Sequence, residues 1–305
     1  MIAYVVRRIA QSILVLVGIS VIVFAALHLT TDPAAAMLRG GTPTKADILA
    51  LRRHLGLDQP LPVQFAIFIA DAVRGNFGTS YYYNNPAFSL VMDHLPATLE
   101  LTVAGMAVSL LIAFPLGILS AVRRNSWLDF FGRIFALLGI SFPNFWLGIM
   151  LILIFAVRLN WVPPSGYGGI QYLILPAVTL GMILAGISTR LIRSSVLDVL
   201  AADYVRTARA KGLPSLQVIT RHVVRNALLP VVTYIGLQFG TLLGGAVIVE
   251  QVFSWPGVGQ LALGAVNQGD FPLVQASVLV LATILILVNL LVDLSYVFID
   301  PRIRY

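Results

Sequence analysis

Long stretches without a charged residue constrain this chain more than any other feature of its sequence. From Ile9 to Thr31 there is no Asp, Glu, Lys or Arg, and about 20 apolar residues are what an α-helix needs to cross the hydrocarbon core of a bilayer. A secretory signal peptide has a shorter apolar region followed by a cleavage site of small residues. We therefore expect this stretch to remain in place as a membrane span.

The composition of the whole chain agrees with a membrane protein. Of its 305 residues 58% are hydrophobic and 11% are charged, with a mean hydropathy of +0.90, whereas about 25% of the residues of a soluble domain are charged. These values exclude a cytoplasmic globular enzyme, a disordered chain and a nucleic-acid-binding protein, although the net charge is +7. The chain has no Cys, which excludes disulfide bonds, thiolate metal sites and a cysteine nucleophile.

The apolar stretches predict an all-α membrane protein with six transmembrane helices. In chain order the predicted spans are Ile9–Thr31, Leu101–Val122, Ile134–Val157, Tyr172–Thr189, Leu229–Phe253 and Leu273–Ile299. The fourth is the shortest, and Pro176 lies inside it. Lys and Arg concentrate in short cytoplasmic loops, so their positions predict that both termini are cytoplasmic. The basic residues on the predicted inner side are Arg7, Arg8, Arg123, Arg124, Arg133, Arg190, Arg193, Arg206, Arg209, Lys211, Arg221, Arg225, Arg302 and Arg304.

The spans divide the chain into four predicted regions. They are an N-terminal transmembrane helix at 1–30, an outer loop region with short helices at 31–97, a membrane core at 98–299 that includes a long cytoplasmic loop at 190–228, and a cytoplasmic tail at 300–305. In the outer region, proline and glycine positions predict helices at Lys45–His54 and Val63–Val73. The run Tyr81-Tyr82-Tyr83 is either an interfacial aromatic anchor or an exposed recognition patch.

Small residues at every fourth position predict which helices pack closely, because they let helix backbones approach each other in lipid. Such residues are Gly105, Ser109, Ala113, Gly117 and Ala121 in the second span, Ala177, Gly181, Ala185 and Thr189 in the fourth, and Gly236, Gly240 and Gly244, with Gly245 beside them, in the fifth. Val, Ile and Leu dominate the first and sixth spans, which we expect to lie outside. A stripe alone does not distinguish a contact within the bundle from a dimer interface.

Few ionisable residues lie within the predicted spans, and each is a candidate functional residue because a buried charge is costly in a membrane. Glu100 is predicted at a helix start, where a carboxylate suits the helix dipole. Asp293 and Glu250 lie near helix ends. Glu250 is either structural or part of a re-entrant or gating turn, since it lies between Gly244-Gly245 and Trp255-Pro256-Gly257.

The sequence contains no recognisable catalytic motif. Neither Lys45 nor Lys211 follows a glycine, so neither completes the Gly-Lys-[Ser/Thr] of a phosphate-binding P-loop. The four His residues are far apart, and no G-x-S-x-G sequence is present. We therefore expect no catalytic residue, no bound cofactor and no metal site in this chain.

The predicted cytoplasmic loop is much longer than a turn between membrane helices requires. A helix is predicted from Val196 to Lys211, with Leu197, Leu200, Tyr204 and Ala208 on one face. Gly212 and Pro214 end it, and Ser215 is predicted to cap a second helix that extends to Arg225. The first helix either lies on anionic lipid or forms a docking surface for a soluble partner, with Tyr204 as its anchor and Gly212 allowing a sharp exit.

In this loop the sequence resembles the dipeptide/oligopeptide branch of ABC importer permeases, which also includes glutathione and nickel systems. The loop segments are Asp203-Tyr-Val-Arg-Thr-Ala-Arg-Ala-Lys-Gly-Leu-Pro214 and Arg221-His-Val-Val-Arg-Asn-Ala-Leu-Leu-Pro230. Further matches are Tyr4-Val-Val-Arg-Arg8, Leu55-Gly-Leu-Asp-Gln-Pro60, Gly139-Ile-Ser-Phe-Pro143, Leu175-Pro176, Gly244-Gly245, Glu250-Gln-Val-Phe253, Trp255-Pro-Gly257 and Asp300-Pro-Arg-Ile-Arg304. Arg206 replaces the glutamate that opens the general loop motif, and residues 74–78 and 31–33 also depart from the branch.

The resemblance implies a type I permease fold in the bacterial inner membrane and a role in uptake of di- or oligopeptides or related small solutes. It implies that Asp203, Tyr204, Arg206, Thr207, Arg209, Ala210, Lys211 and Gly212 contact an ATPase, and we assign helix packing or gating to Gly236, Gly240, Gly244, Gly245 and Glu250. The implied partners are a second homologous permease subunit in a heterodimer, two ATP-binding subunits that use ATP and Mg²⁺, an outer substrate-binding protein and membrane lipid, with no nucleic acid. The alternatives are a stand-alone carrier or channel and, with no residue set to support it, an intramembrane hydrolase. The substrate pathway is not readable from the sequence.

Overall fold

The computed structural model describes residues 2–30, 52 and 58–299, and these residues are almost entirely helical. The helices are α1 (Ile2–Thr30), α2 (Leu61–Val73), α3 (Ala87–Val122), α4 (Trp127–Ser141), α5 (Asn144–Leu151), α6 (Ile170–Leu200), α7 (Asp203–Ala210), α8 (Ser215–Gln217), α9 (Arg225–Ala227), α10 (Leu229–Phe253), α11 (Val258–Gln268) and α12 (Phe271–Ile299). Wider π-helical turns, π1 (Ile152–Arg158) and π2 (Val218–Val224), follow α5 and α8. The predicted helix Lys45–His54, apart from Arg52, and the tail 300–305 lie outside the described residues.

Five of these helices are long and apolar enough to cross a bilayer, namely α1, α3, α6, α10 and α12. In addition, α4 and the continuous helix α5–π1 form a pair bent by 106°. The described part of the chain therefore holds five candidate spans, or six if the bent pair counts as one. The all-α membrane fold is confirmed, and the predicted number of spans agrees with the upper count.

Two of the predicted spans differ in shape from the prediction. The third is not one straight helix, because the chain breaks at Phe142-Pro143, and Pro143 directly precedes α5. Proline lacks an N–H and disfavours helix in the residue before it. The fourth, predicted as the shortest, is a helix of 31 residues that runs through Pro176 to Leu200. In its last turns, Ile192 and Val196 belong to a buried cluster. This packing keeps the turns helical although they also contain polar residues.

The chain divides into two compact units, each described here by itself. One unit combines Met1–Thr98 with Pro256–Leu290, and the other combines Leu99–Trp255 with Leu291–Asp300. In the first unit, α1 presents most of its surface outward, since only 11% of its most apolar window is buried. This confirms the prediction for the first span.

The prediction that the sixth span lies outside is wrong. The first half of α12 is buried in the first unit, where Leu273, Ala276 and Val280 pack in a cluster with Ala87 of α3 and Val258 of α11. A side chain of Val, Ile or Leu fits lipid and protein equally well. Composition alone therefore could not tell the two environments apart.

In the second unit, the small residues of α3 and α6 bring these two helices into close contact. A Cβ atom placed on Gly181 would lie 2.5 Å from the Gly105 carbonyl oxygen, and one on Gly117 would lie 3.0 Å from the Thr189 carbonyl oxygen. All residues of both predicted stripes are buried. The prediction that the second and fourth spans pack closely is confirmed, and the structure shows that they pack on each other.

The helix α4 packs on α6 through a second close contact that the sequence analysis did not predict. A Cβ atom on Gly186 would lie 2.8 Å from the Ala136 carbonyl oxygen, and one on Gly139 would lie 3.0 Å from that of Met182. The signal was available, because Gly132, Ala136 and Gly139 follow the spacing of one helix face.

A buried ion pair fixes the first turn of α4 to α6. The Arg193 Nε atom donates to Asp129 Oδ1 at 2.7 Å, and Nη2 donates to Oδ2 at 3.0 Å. Asp129 is fully buried, accepts a further hydrogen bond from the Asn125 N–H and donates its own N–H to the Ser126 side chain. This bidentate arrangement satisfies the carboxylate and caps the helix start.

Replacing Gly181 by Ala should destabilise the second unit, because the new methyl group would lie 2.5 Å from the Gly105 carbonyl oxygen. Overpacking of this kind costs about 1–3 kcal/mol. The measurement is the unfolding temperature of the purified chain in detergent. Gly18→Ala is the matched control, since Gly18 lies in a membrane helix with open space around its Cβ position. Equal unfolding temperatures for the two variants would contradict the close contact.

Candidate functional site

The connection from α6 to α10 folds into short helices rather than one long one. The predicted helix Val196–Lys211 is wrong, because α6 ends at Leu200 and Ala202 is extended before α7 begins at Asp203. The break rotates the following turn so that Val205 and Ala208 are buried. Tyr204, which the continuous helix would have placed with Ala208, is instead 46% exposed.

The outward face of α7 and its exit carries all the residues predicted to contact a partner. These residues, which we call the α7 surface, are Asp203, Tyr204, Arg206, Thr207, Arg209, Ala210, Lys211 and Gly212, and each is exposed. The Tyr204 hydroxyl accepts a hydrogen bond from Asn226 Nδ2 at 3.2 Å, which holds the ring in place. The surface combines three basic side chains, one carboxylate and an aromatic ring.

The chain leaves α7 through Gly212, which has a φ of +75° and open space around its Cβ position. This left-handed conformation is the one predicted for a helix stop at glycine. The predicted cap by Ser215 is wrong, because Pro214 precedes the next helix and Ser215 is its first residue. Helical turns then continue through α8, π2 and α9 to Ala227, close to the predicted end at Arg225.

One buried cluster joins the underside of α7 to three membrane helices. Its members are Ala113 and Ala121 of α3, Ile192 and Val196 of α6, Val205 and Ala208 of α7, Val218 and Val223 of π2, Ala227 of α9 and Val231 of α10. Six of these residues are completely or almost completely buried Val or Ile side chains. The underside of α7 is therefore packed in one interior with residues of α3, α6 and α10.

The residues predicted for packing or gating on α10 do not share one environment. Gly236 meets Val292 of α12, with its Cβ position 2.7 Å from a Val292 methyl carbon, and Gly240 is buried. Gly244 is exposed, and no described atom outside its own helix turn lies within 4 Å of its Cβ position. Glu250 is fully buried in the last turn of the helix, and its carbonyl oxygen accepts hydrogen bonds from the turn that follows. The predicted close packing of the fifth span thus does not extend to Gly244 within this chain.

A cavity of about 140 Å³ lies among α5, α6 and α10. Its lining is mostly apolar, and we call it the polar cavity after the amide and hydroxyl side chains of Asn144, Gln238 and Thr241. Asn144 contributes an amide whose Oδ1 atom is buried and accepts no hydrogen bond from the described part of the chain. Gln238 donates to the Tyr234 hydroxyl at 2.7 Å and accepts from Thr241 at 3.3 Å. The Cβ position of Gly245 lies 3.8 Å from Asn144 Nδ2, so a larger side chain would enter this space.

The sequence analysis missed this cavity because its polar residues come from separate helices. The only local signal was the spacing of Tyr234, Gln238 and Thr241, which places the three on one helix face. The rest of the lining is apolar, and includes Leu180, Ile183, Leu184, Ile187 and Leu242. Such a cavity can hold a small polar solute or water within a membrane protein.

The structure places the Tyr81–Tyr83 run in a tight turn of the first unit. Ser80 Oγ and the Tyr82 N–H donate to the buried carboxylate of Asp270, which also accepts from the Leu273 N–H at the start of α12. Burial and then the Asp270 charge raise the pKa of Tyr81 to about 12. The side chains of Tyr82 and Tyr83 point outward and are 61% and 44% exposed. Both the anchor and the recognition interpretation need this exposure, so both stay open.

Glu100 does not stand at a helix start, contrary to the prediction, because α3 begins at Ala87. It is exposed and accepts a hydrogen bond from the Tyr167 hydroxyl at 3.1 Å, which raises the pKa of Tyr167. Among the residues that the structure describes, no group of three His, Asp or Glu side chains could hold a metal ion.

Comparison with known sequences assigns almost the whole chain to one family. The family model described as "Binding-protein-dependent transport system inner membrane component" matches residues 113–305, and the model of its N-terminal region matches residues 1–102. The glutathione transport system permease protein GsiC of Salmonella typhimurium is 44% identical over 305 residues, with both chains fully covered. The dipeptide transport system permease protein DppB of Alkalihalophilus pseudofirmus is 40% identical over 333 residues, again with full coverage of both.

Solved structures with the same fold are ABC transporters. The inward-facing MetNI methionine ABC transporter matches with a TM-score of 0.59 at 22% identity, covering 69% of this chain and 96% of that one. An amino acid ABC transporter with histidines matches with a TM-score of 0.52 at 15% identity, covering 70% and 94%. The type I permease fold and the resemblance found in the sequence are confirmed. The chain belongs to the family of binding-protein-dependent transport system inner membrane components and is a permease of the bacterial inner membrane.

Proposed function

We propose that this chain is one of two homologous permease subunits of an ATP-driven importer for small peptides. Two relatives that match over their full lengths are named for glutathione and dipeptide transport, and glutathione is itself a tripeptide. The substrate class is therefore a di- or oligopeptide or a related small solute. An outer binding protein would deliver it, and two ATP-binding subunits would bind and hydrolyse ATP with Mg²⁺.

The observation that carries this proposal is the buried cluster beneath the α7 surface. A helix lying on lipid would bury its apolar face in the membrane, whereas α7 buries Val205 and Ala208 in its own chain. It leaves Tyr204 and the charged side chains for a soluble partner. The α7 surface would fit a groove on an ATPase subunit, so that closure of two ATPases moves α3, α6 and α10 together. Alternating access needs two such discrete arrangements, biased by ATP.

The same arrangement supports an orientation and a place for the second permease. Because ATP is cytoplasmic, the α7 surface faces the cytoplasm, in agreement with the concentration of arginines at that end.

On α10, Gly244 and Ile248 are exposed, and small residues on a membrane helix allow a close approach by another helix. This face is available to a homologous subunit. ATP and Mg²⁺ would then be held by the ATP-binding subunits, with no cofactor resident in this chain.

The polar cavity is the proposed part of the substrate pathway in this chain. A peptide carries amide donors and acceptors that must be satisfied in the membrane. The unpartnered Asn144 Oδ1 and the Gln238–Thr241 pair offer such contacts within the otherwise apolar lining of this cavity.

Replacing Gly212 by Val should uncouple the transporter, because its φ of +75° costs a non-glycine residue about 1–2 kcal/mol. Docking of the α7 surface requires this exit conformation in our proposal. We therefore expect the variant to bind the ATPase subunit about tenfold more weakly. The measurement is peptide uptake and substrate-stimulated ATP hydrolysis by the complete transporter in proteoliposomes. We expect both to fall, with the variant still eluting as a folded assembly.

Gly75→Val is the matched control for strain. Gly75 has a φ of +77° and equally open surroundings but lies in the outer segment, so its variant should keep ATPase coupling. Full uptake and stimulation in the Gly212→Val variant would contradict docking through the α7 surface. Accumulation of solute by the lone chain in liposomes without nucleotide would support a stand-alone carrier instead.

Replacing Asn144 by Leu should raise the peptide concentration needed for half-maximal uptake by about tenfold, since a buried polar contact of the solute would be lost. Basal ATP hydrolysis should stay unchanged, because Asn144 is not part of the buried cluster beneath α7. Asn289→Leu is the matched control, as Asn289 also has a buried Oδ1 atom without a described partner but does not line the cavity. Equal effects of the two substitutions would contradict the assignment of the pathway.

A further inference from the structure

A second cavity, of about 350 Å³, lies between α4 and α6 and is distinct from the polar cavity. Three arginines line it, Arg133 from α4 and Arg190 and Arg193 from α6. None of these residues belongs to the α7 surface or to the proposed pathway. Arginines at the ends of membrane helices are expected on the cytoplasmic side, but three arginines from two helices around one cavity make that cavity basic.

The negative charge beside this cavity is too small to balance the arginines. The Asp129 carboxylate already accepts two hydrogen bonds from the Arg193 guanidinium group, at 2.7 and 3.0 Å. Arg133 lies 3.6 Å from the same carboxylate and is 56% exposed. Arg190 is exposed and has no carboxylate partner among the described residues. The cavity therefore carries an excess of positive charge that an anion can complement.

A buried hydroxyl in the same lining also lacks a partner. Thr189 lines the cavity, is 1% exposed, and its Oγ1 atom makes no hydrogen bond with the described residues. Elsewhere on α6, Thr179 behaves as helical threonines usually do and donates to the Leu175 carbonyl oxygen at 2.8 Å. Leaving a buried polar group unpaired is unfavourable, so a bound acceptor oxygen would stabilise the site.

The remaining side chains that line the cavity are apolar. Leu137 and Ile140 line it and are 66% and 44% exposed. With Arg133 they follow an i, i+4, i+7 pattern, so a basic group and two aliphatic side chains succeed one another on one helix face. This order, charge first and then hydrocarbon, matches a molecule with an anionic head and an apolar tail.

We propose that this cavity binds an anionic phospholipid, with its phosphate between Arg133 and Arg190 and within reach of the Thr189 hydroxyl. An acyl chain would lie along Leu137 and Ile140. Basic pockets between membrane helices are suited to anionic headgroups, and guanidinium groups match the geometry of phosphate oxygens. Since the lining comes from α4 and α6 alone, the bound lipid joins the first half of the bent span to α6.

The test measures lipid binding by the complete transporter in detergent. Phosphatidylglycerol, phosphatidylcholine with the same acyl chains, and inorganic phosphate are added separately, and retained lipid and unfolding temperature are recorded. The proposal expects phosphatidylglycerol to be retained and to raise the unfolding temperature, as a ligand of the native state does. Equal retention of phosphatidylcholine would overturn the charge argument. An equal effect of inorganic phosphate would show a simple anion site and overturn the lipid assignment.

Variants then locate the site. In the R133Q/R190Q double variant, retention of phosphatidylglycerol should weaken about tenfold or more, because charge-assisted hydrogen bonds are lost. The R123Q/R124Q double variant is the matched control, with the same change of charge in the exposed connection before α4. Equal losses in both variants would indicate a general electrostatic effect and contradict this site. The comparison of lipids on the unaltered transporter stays decisive should the first variant fail to fold.

Discussion

The close approach of α3 and α6 is the constraint on which the second unit depends. In a bilayer the surrounding lipid is as apolar as a leucine side chain, so helices associate through packing rather than through expulsion of water. Gly105, Gly117 and Gly181 bring the two backbones so near that an added methyl group at any of them would meet a neighbour at about van der Waals contact or closer. The Asp129–Arg193 pair then attaches α4 to the same helix, with each carboxylate oxygen held by a guanidinium group.

The short helix α7 packs against these membrane helices. Val205 and Ala208 are part of the same buried cluster as residues of α3, α6 and α10, while the opposite face of α7 is exposed. In the proposed mechanism, a partner that moves this face would act on three membrane helices at once, because well-packed interiors shift between discrete arrangements rather than deform gradually. The relatives of this chain are named as transport permeases, and its sequence has no phosphate-binding P-loop motif.

Much of the fold could be predicted from local sequence. The span Leu229–Phe253 has the predicted bounds, the stripes of α3 and α6 are buried, and Gly212 has the left-handed conformation expected at a helix exit. The errors share a cause, which is that apolar periodicity does not reveal breaks or neighbours. Pro143 bends the third span, Ala202 separates α7 from α6, and the first half of α12 is buried although its composition would equally suit lipid.

By itself the sequence determined the membrane as the solvent of this chain, the approximate spans, the helices able to pack closely and the transport family. These properties follow from composition, spacing and local motifs. Only the tertiary structure decided that Asn144 lines the same cavity as Gln238 and Thr241, and that Arg133, Arg190 and Thr189 line a second cavity. It also decided that Val205, rather than Tyr204, is buried on α7. The physical reason is that a polar side chain is functional or merely exposed according to its neighbours, and those neighbours come from helices far apart in the chain.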